Sequence, residues 1–303
     1  MNNAIVACAY HNVGYRCLEE LLRQKADIRL IFTHEDSPSE EIWFQSVREL
    51  ADRHGIPYIT TSINEPENVA HVREIAPDFI LSFYYRNMIT PEVLDLAAKG
   101  ALNLHGSYLP RYRGRVPVNW VVINGETETG ATLHYMVAKP DAGEIVDREK
   151  VPIAFTDTAF DVFNKLTDAA VTVIRRAWPQ LLAGTAPRIP MDLKAGNYYR
   201  GRKPEDGRID WSRPAVQIYN LIRGVTHPYP GAFTYLNGEK VIIWQAWPVA
   251  GSGEPGRVMT ADPLLVGTGD GQLEIRVLQG EGCQEEAAAA YILRNQTESE
   301  QFC

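Results

Sequence analysis

Short apolar runs alternate with amphipathic segments along the first part of the chain. The apolar runs predict five strands, at 4–9, 27–33, 57–60, 78–83 and 101–105. Apolar residues at helical spacing predict helices after the first strand and over 42–54, 68–75 and 91–96. This alternation predicts an α/β fold whose N-terminal domain is a Rossmann-like, doubly wound parallel sheet.

The pattern then changes to a strand pair and a long helix. Alternating apolar and polar residues at 129–137 and 144–151 predict two paired strands, connected by a loop over 139–143. Apolar residues then keep helical spacing over 156–181, which predicts a helix that closes the first domain.

A stretch rich in glycine and proline at 184–203 separates two regions of different pattern. We therefore predict a catalytic domain over 1–203 and a second domain over 204–303. In the second domain we predict one helix at 215–224 and short strands at 232–236, 241–246, 256–259, 264–268 and 273–278. Short strands separated by glycine and proline residues are typical of a small OB-like β-barrel.

The composition is that of a globular protein, with 45% hydrophobic and 22% charged residues among 303. The net charge of −8 argues against a nucleic-acid partner. The four cysteines lack the spacing of a zinc site, which fits a reducing cytoplasm. No leader sequence and no apolar run of about 18 residues is apparent. We therefore expect a cytoplasmic protein without a membrane partner.

Polar side chains gather where the strand at 101–105 ends. Asn103 and His105 alternate along this strand and share one face, and a loop rich in arginine and proline follows at 109–117. At the carboxyl end of a parallel strand, this arrangement predicts a ligand-binding site. A dinucleotide is excluded, because the loop at 10–14 contains one glycine where the dinucleotide fingerprint needs three.

Three motifs of this region together resemble those of the folate-dependent formyltransferase family. They are Asn103-x-His105-Gly106-Ser107, Leu109-Pro110-x-Tyr112-Arg113-Gly114 and Asp141-x-Gly143. The resemblance continues into the second domain, at Asp210-Trp211, Arg223 and 227–233. Within the family, it is closest to the branch that formylates UDP-4-amino-4-deoxy-L-arabinose for lipid A modification and polymyxin resistance.

That branch carries a further dehydrogenase/decarboxylase domain, whereas this chain stops at Cys303. The resemblance therefore implies either a stand-alone version or a part of a longer protein. In both cases, we expect a separate dehydrogenase/decarboxylase activity in the pathway.

The resemblance implies transfer of a formyl group from 10-formyltetrahydrofolate to an amine, without a metal, by Asn103, His105 and Asp141. Such a site needs a base for the amine proton and a donor for the developing oxyanion. Asp141 would accept the proton and orient His105, and its charge would favour an imidazolium. His105 would stabilise the oxyanion or protonate the departing nitrogen, and the Asn103 amide would donate to the same oxygen.

The resemblance also implies where the two substrates bind. For folate it indicates Tyr85, Arg86, Asn87, Met88, Arg115, Val116 and Pro117, with backbone groups of 85–88 reading the pterin edge. For the sugar nucleotide it indicates Tyr10, His11, Asn12 and Arg111, with Arg202 as a phosphate ligand. His134 lies in an alternating run and is predicted to be a packed strand residue.

Other functions share parts of this pattern. A methionyl-tRNA formyltransferase would need a denser basic face than 30 basic against 38 acidic residues suggest. A formyltransferase for another aminosugar, such as a dTDP-sugar, would differ only in contacts that the sequence does not reveal. A non-catalytic sugar-nucleotide-binding module would not need the three polar residues. A hydrolase that releases formate would use similar residues but no amine acceptor.

Overall fold

The computed structural model describes residues 3–37, 42–295 and 301–303. By compactness the chain forms two units. The first comprises Met1–Pro117, Glu128–Pro152 and Asn164–Tyr199, and the second comprises Val118–Thr127, Ile153–Phe163 and Arg200–Cys303. The predicted domain boundary after residue 203 remains a prediction.

The chain alternates between strands and helices as far as its fifth strand. These elements are β1 (Ala4–Ala9), α1 (His11–Arg23), β2 (Asp27–Phe32), α2 (Val47–His54), β3 (Tyr58–Ile59), α3 (Pro66–Ile75), β4 (Phe79–Phe83), α4 (Pro91–Leu94) and β5 (Gly100–His105). They are followed by β6 (Arg113–Gly114), α5 (Pro117–Ile123), β7 (Glu128–Tyr135), β8 (Ile145–Pro152), α6 (Ala159–Ala183) and β9 (Tyr198–Tyr199).

The first unit is built on a seven-stranded sheet in the order β3-β2-β1-β4-β5-β7-β8. The first five strands in this order are parallel, whereas β7 runs antiparallel to β5 and β8 antiparallel to β7. Strand β4 is buried along its whole length, as its apolar run predicts for a central strand. Strand β5 therefore lies inside the sheet, between a parallel and an antiparallel neighbour.

The second helix is shorter than its apolar pattern predicts. The pattern indicates a helix over 42–54, but α2 begins at Val47, and 38–41 lie outside the described residues. The hydroxyl of Ser46 accepts a hydrogen bond from the backbone N–H of Glu49, so Ser46 is the N-cap of α2. This cap, rather than the apolar residues before it, fixes where the helix begins.

The second unit contains an antiparallel sheet. Its elements in the last third of the chain are α7 (Ala215–Val225), β10 (Ala232–Leu236), β11 (Glu239–Val249), β12 (Val258–Ala261), β13 (Leu264–Gly267), β14 (Gln272–Gly280), β15 (Glu286–Ala287) and α8 (Ala288–Asn295). The strands pair in the order β10-β11-β14-β13-β12, and β15 pairs with β14. The predicted α/β class with a separate β unit is confirmed.

Residues 301–303 connect the two edges of this sheet. The backbone N–H of Phe302 donates to the Gly256 carbonyl at 2.8 Å, just before β12, and the N–H of Cys303 donates to the Tyr235 carbonyl in β10 at 2.9 Å. Phe302 is buried and packs against Trp211, with ring centroids 5.5 Å apart. None of the helices in the described part of the chain is long and apolar enough to cross a membrane.

Candidate active site

The sheet brings the three predicted catalytic residues together at the end of β5. Asn103 and His105 lie on β5, and Asp141 lies in the loop between β7 and β8. The carboxylate Oδ1 of Asp141 is 3.4 Å from Nδ1 of His105. On its other side, Nε2 of His105 is 2.8 Å from the carbonyl oxygen of Tyr112. His105 is buried, so its ring is held between these two acceptors.

Asp141 is partly buried but carries its charge. Burial opposes ionisation and raises the pKa, but the charge of His105, the nearby His134 ring and a hydrogen bond from the Gly114 N–H act more strongly in the other direction. The pKa of Asp141 is therefore well below its usual range. The Gly114 N–H donates to Oδ2 at 2.8 Å, which leaves Oδ1 facing His105. At neutral pH the site thus contains an ionised carboxylate beside the His105 ring.

His134 is a member of this cluster that the sequence pattern did not reveal. It is buried and lies opposite Asn103 in the β5–β7 pairing, with its Nε2 3.4 Å from the Asn103 amide nitrogen. Its Nδ1 is 2.8 Å from the carbonyl of Tyr135, and a carbonyl can only accept, so Nδ1 carries the proton. Nε2 can then accept from Asn103. At 3.6 Å from Asp141 Oδ1, Nε2 is too far for a good hydrogen bond to the carboxylate.

Residues 107–111, which follow β5, are held by side chains of β7 and β8. Thr132 lies opposite His105 in β7, and its hydroxyl donates to the Ser107 carbonyl at 2.7 Å and accepts from the Leu109 N–H at 3.1 Å. Arg148 of β8 donates to the Leu109 carbonyl at 2.8 Å. These bonds fix the start of the loop beside His105.

The rest of this loop is held by a segment that the sequence pattern assigned to the interdomain stretch. Residues 112–115, here called the backbone strip, pair in parallel with residues 197–199, here called the bracing segment. The N–H of Tyr112 donates to the side-chain oxygen of Asn197 at 2.5 Å, and the rings of Tyr112 and Tyr199 stack 4.8 Å apart at 7°. A Cβ on Gly114 would overlap the Tyr199 carbonyl, so this close approach requires glycine.

The predicted folate residues after β4 lie next to β5. β4 and β5 are paired in register, and a Cβ on Gly106 would overlap the hydroxyl of Tyr84. The N–H of Arg86 donates to Nε2 of His34 at 3.0 Å, and the carbonyl of Met88 accepts from Asn64 at 2.6 Å. The Arg86 N–H and the Met88 carbonyl are therefore already hydrogen-bonded within the protein. Fewer backbone groups of 85–88 are left to bind the pterin edge than the sequence prediction assumed.

The side chains of the other predicted folate residues are largely open to solvent. Asn87 and Met88 are exposed, and 62% of Met88 is accessible. In the loop after β5, Arg115 and Val116 are exposed and Pro117 is buried at the start of α5. The ring of Tyr85 instead packs inward and stacks on His34, 4.5 Å away.

The residues at the end of β1 that are predicted to bind the sugar nucleotide form part of an aromatic cluster. The His11 ring lies 4.0 Å from Phe44 and 4.4 Å from Trp43, and the Tyr10 hydroxyl donates to Asp36 at 2.8 Å. The Asn12 side chain accepts from the backbone N–H of Gln45 at 2.8 Å, so its oxygen has a local structural role.

Two imidazoles in this region are neutral. Burial, followed by the charge of Arg86, lowers the pKa of His11 to about 3 and that of His34 to about 4. The Arg86 guanidinium also lies over the Tyr10 ring, 4.5 Å from its centroid. Arg86 is thus the local source of positive charge beside both rings.

The other two residues predicted to bind the sugar nucleotide are arginines. Arg111 is exposed, and its guanidinium is 5.9 Å from the Tyr112 ring. Arg202 belongs to the second unit, where it lies 4.8 Å from the Trp120 ring and donates to the Asp206 carbonyl at 2.7 Å. Burial lowers the pKa of Arg202, although a guanidinium remains charged at neutral pH.

Strained backbone is concentrated in the loops of the predicted site. Eight non-glycine residues in the described part of the chain have positive φ, and five of them lie in these loops or at the first residue of α1. They are His11, Tyr84, Tyr112, Val116 and Asp141, with φ between 47° and 65°. Such conformations persist only where surrounding contacts enforce them, and they are common at functional sites.

The sequence model of formyl transferases matches residues 11–178, and the model of the formyl transferase C-terminal domain matches residues 202–296. The chain belongs to the formyl transferase family. The prediction of a formyltransferase enzyme is therefore confirmed at the level of the family.

Several solved structures share this fold at low sequence identity. An N-formyltransferase from Helicobacter canadensis, in complex with folinic acid and dTDP-3-aminofucose, is 18% identical, with a TM-score of 0.69 over 94% of this chain and 100% of that one. HypX from Aquifex aeolicus with tetrahydrofolic acid is 18% identical, with a TM-score of 0.65 over 96% of this chain. The match covers 47% of HypX, so the chain spans about half the length of that protein.

A sugar N-formyltransferase from a Shewanella species is also similar, at 17% identity and a TM-score of 0.63 over 80% of this chain and 96% of that one. At these identities the likeness shows a common fold.

Proposed function

We propose that this formyl transferase moves the formyl group of 10-formyltetrahydrofolate to the 4-amino group of a UDP-linked aminosugar. Within that class we propose UDP-4-amino-4-deoxy-L-arabinose as the acceptor, with a role in lipid A modification and polymyxin resistance. The observation that carries the proposal is the cluster of Asn103, His105 and Asp141 at the end of β5, in a chain of this family.

The proposed reaction forms a bond between the formyl carbon and the amine and breaks the bond between that carbon and the folate nitrogen. We propose that the Asp141 carboxylate, which is ionised and so able to act as an acceptor, takes up the proton that the amine loses as it bonds to the formyl carbon. The Nε2 of His105 is engaged by Tyr112, so its Nδ1, 3.4 Å from Asp141, is the nitrogen left to donate a proton to the departing folate nitrogen. The group that faces the developing oxyanion is the Asn103 amide.

Two exposed apolar side chains support folate as the formyl donor. Met88 and Val116 are 62% and 41% accessible and lie in the loops that follow β4 and β5. Val116 is β-branched and has a φ of +47°, which is strained for such a residue. Covering apolar side chains with a flat ring system is favourable. We therefore propose that the loop residues Tyr85–Met88 and Arg115–Pro117 hold the pterin.

The acceptor class is supported by similarity and by charge. Structurally similar enzymes were solved with folinic acid and dTDP-3-aminofucose or are described as sugar N-formyltransferases. The net charge of −8 is unfavourable for binding tRNA. The choice of UDP-arabinose rests on the sequence resemblance. We propose that Tyr10, His11, Asn12, Arg111 and Arg202 contact the acceptor, and that the reaction occurs in the cytoplasm.

The test is a product assay with matched acceptors. The protein is incubated with 10-formyltetrahydrofolate and, separately, with UDP- and dTDP-linked aminosugars, methionyl-tRNA or no acceptor. Mass spectrometry then detects addition of one formyl group. We expect turnover of UDP-4-amino-4-deoxy-L-arabinose and little of the dTDP-sugars. Preference for a dTDP-sugar would correct the nucleotide, whereas formylation of tRNA alone, or release of formate without an acceptor, would refute the proposal.

A further inference from the structure

The two edges of the backbone strip have different partners. On one edge the Tyr112 carbonyl faces Nε2 of His105 at 2.8 Å, and the Gly114 N–H donates to Asp141 at 2.8 Å. On the other edge, N–H groups of the strip donate to the bracing segment. The strip therefore connects two of the proposed catalytic side chains to residues far along the chain.

Asn197 accepts hydrogen bonds from the backbone N–H groups that precede and follow the Tyr112 Cα atom. Its side-chain oxygen accepts from the Tyr112 N–H at 2.5 Å, and its own carbonyl accepts from the Arg113 N–H at 3.1 Å. These N–H groups belong to the two peptide planes that flank the Tyr112 Cα, so together the two bonds fix its φ and ψ. Because φ at Tyr112 is +57°, the conformation needs such support. The second of these planes carries the carbonyl that faces His105.

We propose that Asn197 is a positioning residue for the formyl transfer. Its amide oxygen keeps Tyr112 in the backbone conformation that aims the Tyr112 carbonyl at His105. The inference rests on the proposed function, because its effect on kcat is measured in the proposed formyl transfer. Asn197 is exposed, so replacing it removes no part of the buried core.

The chain offers a sharp set of variants. Asn197→Ala removes the acceptor, whereas Asn197→Asp keeps an oxygen in the same place. Tyr199→Phe is the matched control, because it removes only the hydroxyl that faces the amide nitrogen of Asn197 at 3.5 Å and keeps the ring that stacks on Tyr112. For Asn197→Ala we expect kcat to fall about 10- to 100-fold with little change in KM, as for a misplaced catalytic group. Asn197→Asp and Tyr199→Phe should stay within about threefold of the unmodified protein.

A second readout separates positioning from loss of stability. In the nitrogen-labelled protein, which has seven histidines, the His105 ring signals are assigned by their absence in a His105→Asn variant. We expect Asn197→Ala to shift the His105 Nε2 signal and Asn197→Asp to restore it, whether or not an aminosugar is formylated. A lowered Tm with unchanged kcat and unchanged His105 signals would overturn the proposal. So would an Asn197→Asp variant as impaired as Asn197→Ala.

Discussion

At the scale of single residues, the geometry of the site depends on the hydrogen-bond acceptors that surround the His105 ring. The His105 ring lies between the Tyr112 carbonyl and the Asp141 carboxylate, and neither partner can donate a hydrogen bond at neutral pH. The carboxylate itself is held by the Gly114 N–H. The arrangement thus provides one fixed proton acceptor and one imidazole of fixed orientation.

Replacing the carboxylate by its neutral isostere tests the proton acceptor. Asp141→Asn preserves the shape of the side chain but removes its charge. We expect kcat to fall about 10²- to 10⁴-fold, the range typical of a general base, with far-ultraviolet circular dichroism unchanged. Steady-state kinetics with the aminosugar provide the measurement. Activity within a few-fold of the unmodified protein would show that the proton leaves by another route.

His134 is expected to orient the amide of Asn103. His134→Phe removes the acceptor for the Asn103 amide, whereas His134→Gln keeps an acceptor near the position of Nε2. We expect kcat to fall about tenfold in the Phe variant, which corresponds to the loss of one hydrogen bond, and to recover in part in the Gln variant. Equal kcat values for the two variants would argue that His134 only fills space.

At the scale of elements, β7 stabilises the loop that follows β5. Thr132 is fully buried, and its hydroxyl joins the Ser107 carbonyl to the Leu109 N–H. Thr132→Val leaves two buried backbone groups without this partner. We expect the free energy of unfolding in urea to fall by about 2–3 kcal/mol.

The same strand provides the control for this change. Thr129 is also buried, and within the described structure its hydroxyl has no hydrogen-bond partner. Thr129→Val should therefore leave the free energy of unfolding unchanged or raise it slightly. If both variants lost the same free energy, the Thr132 bridge would make no specific contribution.

The elements also show what the sequence could and could not predict. The apolar runs predicted all five parallel strands, and most clearly β1 and β4, because a buried strand is apolar along its length. They did not identify the partner of each residue across β5 and β7, since alternation gives the face of a strand but not its register. His134 and Thr132 therefore remained ordinary strand residues, although they lie opposite Asn103 and His105.

The bracing segment was missed for a different reason. Tyr198 and Tyr199 lie among glycine and proline residues, and β9 is only two residues long. A strand of this length has no periodicity to detect. Its pairing with β6 depends on a glycine that lets the two backbones approach, which is visible only in three dimensions.

At the scale of the whole molecule, the two neutral imidazoles link stability to pH. The pKa values of His11 and His34 are lowered to about 3 and about 4, against 6.5 for the free side chain. As the pH falls below 6.5, the unfolded chain takes up protons that the folded chain does not, so the folded state loses stability. We expect each group to contribute a loss of about 1–2 kcal/mol between pH 7 and about pH 5.

Urea unfolding at these two pH values checks this expectation. His34→Gln keeps an acceptor for the Arg86 N–H but cannot be protonated in this range. The variant should therefore lose about 1–2 kcal/mol less than the unmodified protein on acidification. An identical loss in both proteins would show that His34 does not contribute to the pH dependence.

The pairing of β6 with β9 also has a consequence for protein engineering. Residues 197–199 lie beyond the long helix α6, yet they complete the loop that holds His105 and Asp141. A chimera that exchanges the C-terminal part with that of another formyl transferase should therefore be joined after Tyr199. A junction at about residue 190, within the irregular stretch, would pair the loop with a foreign segment. Where homologous enzymes are recombined, the crossover position would then decide whether a hybrid is active.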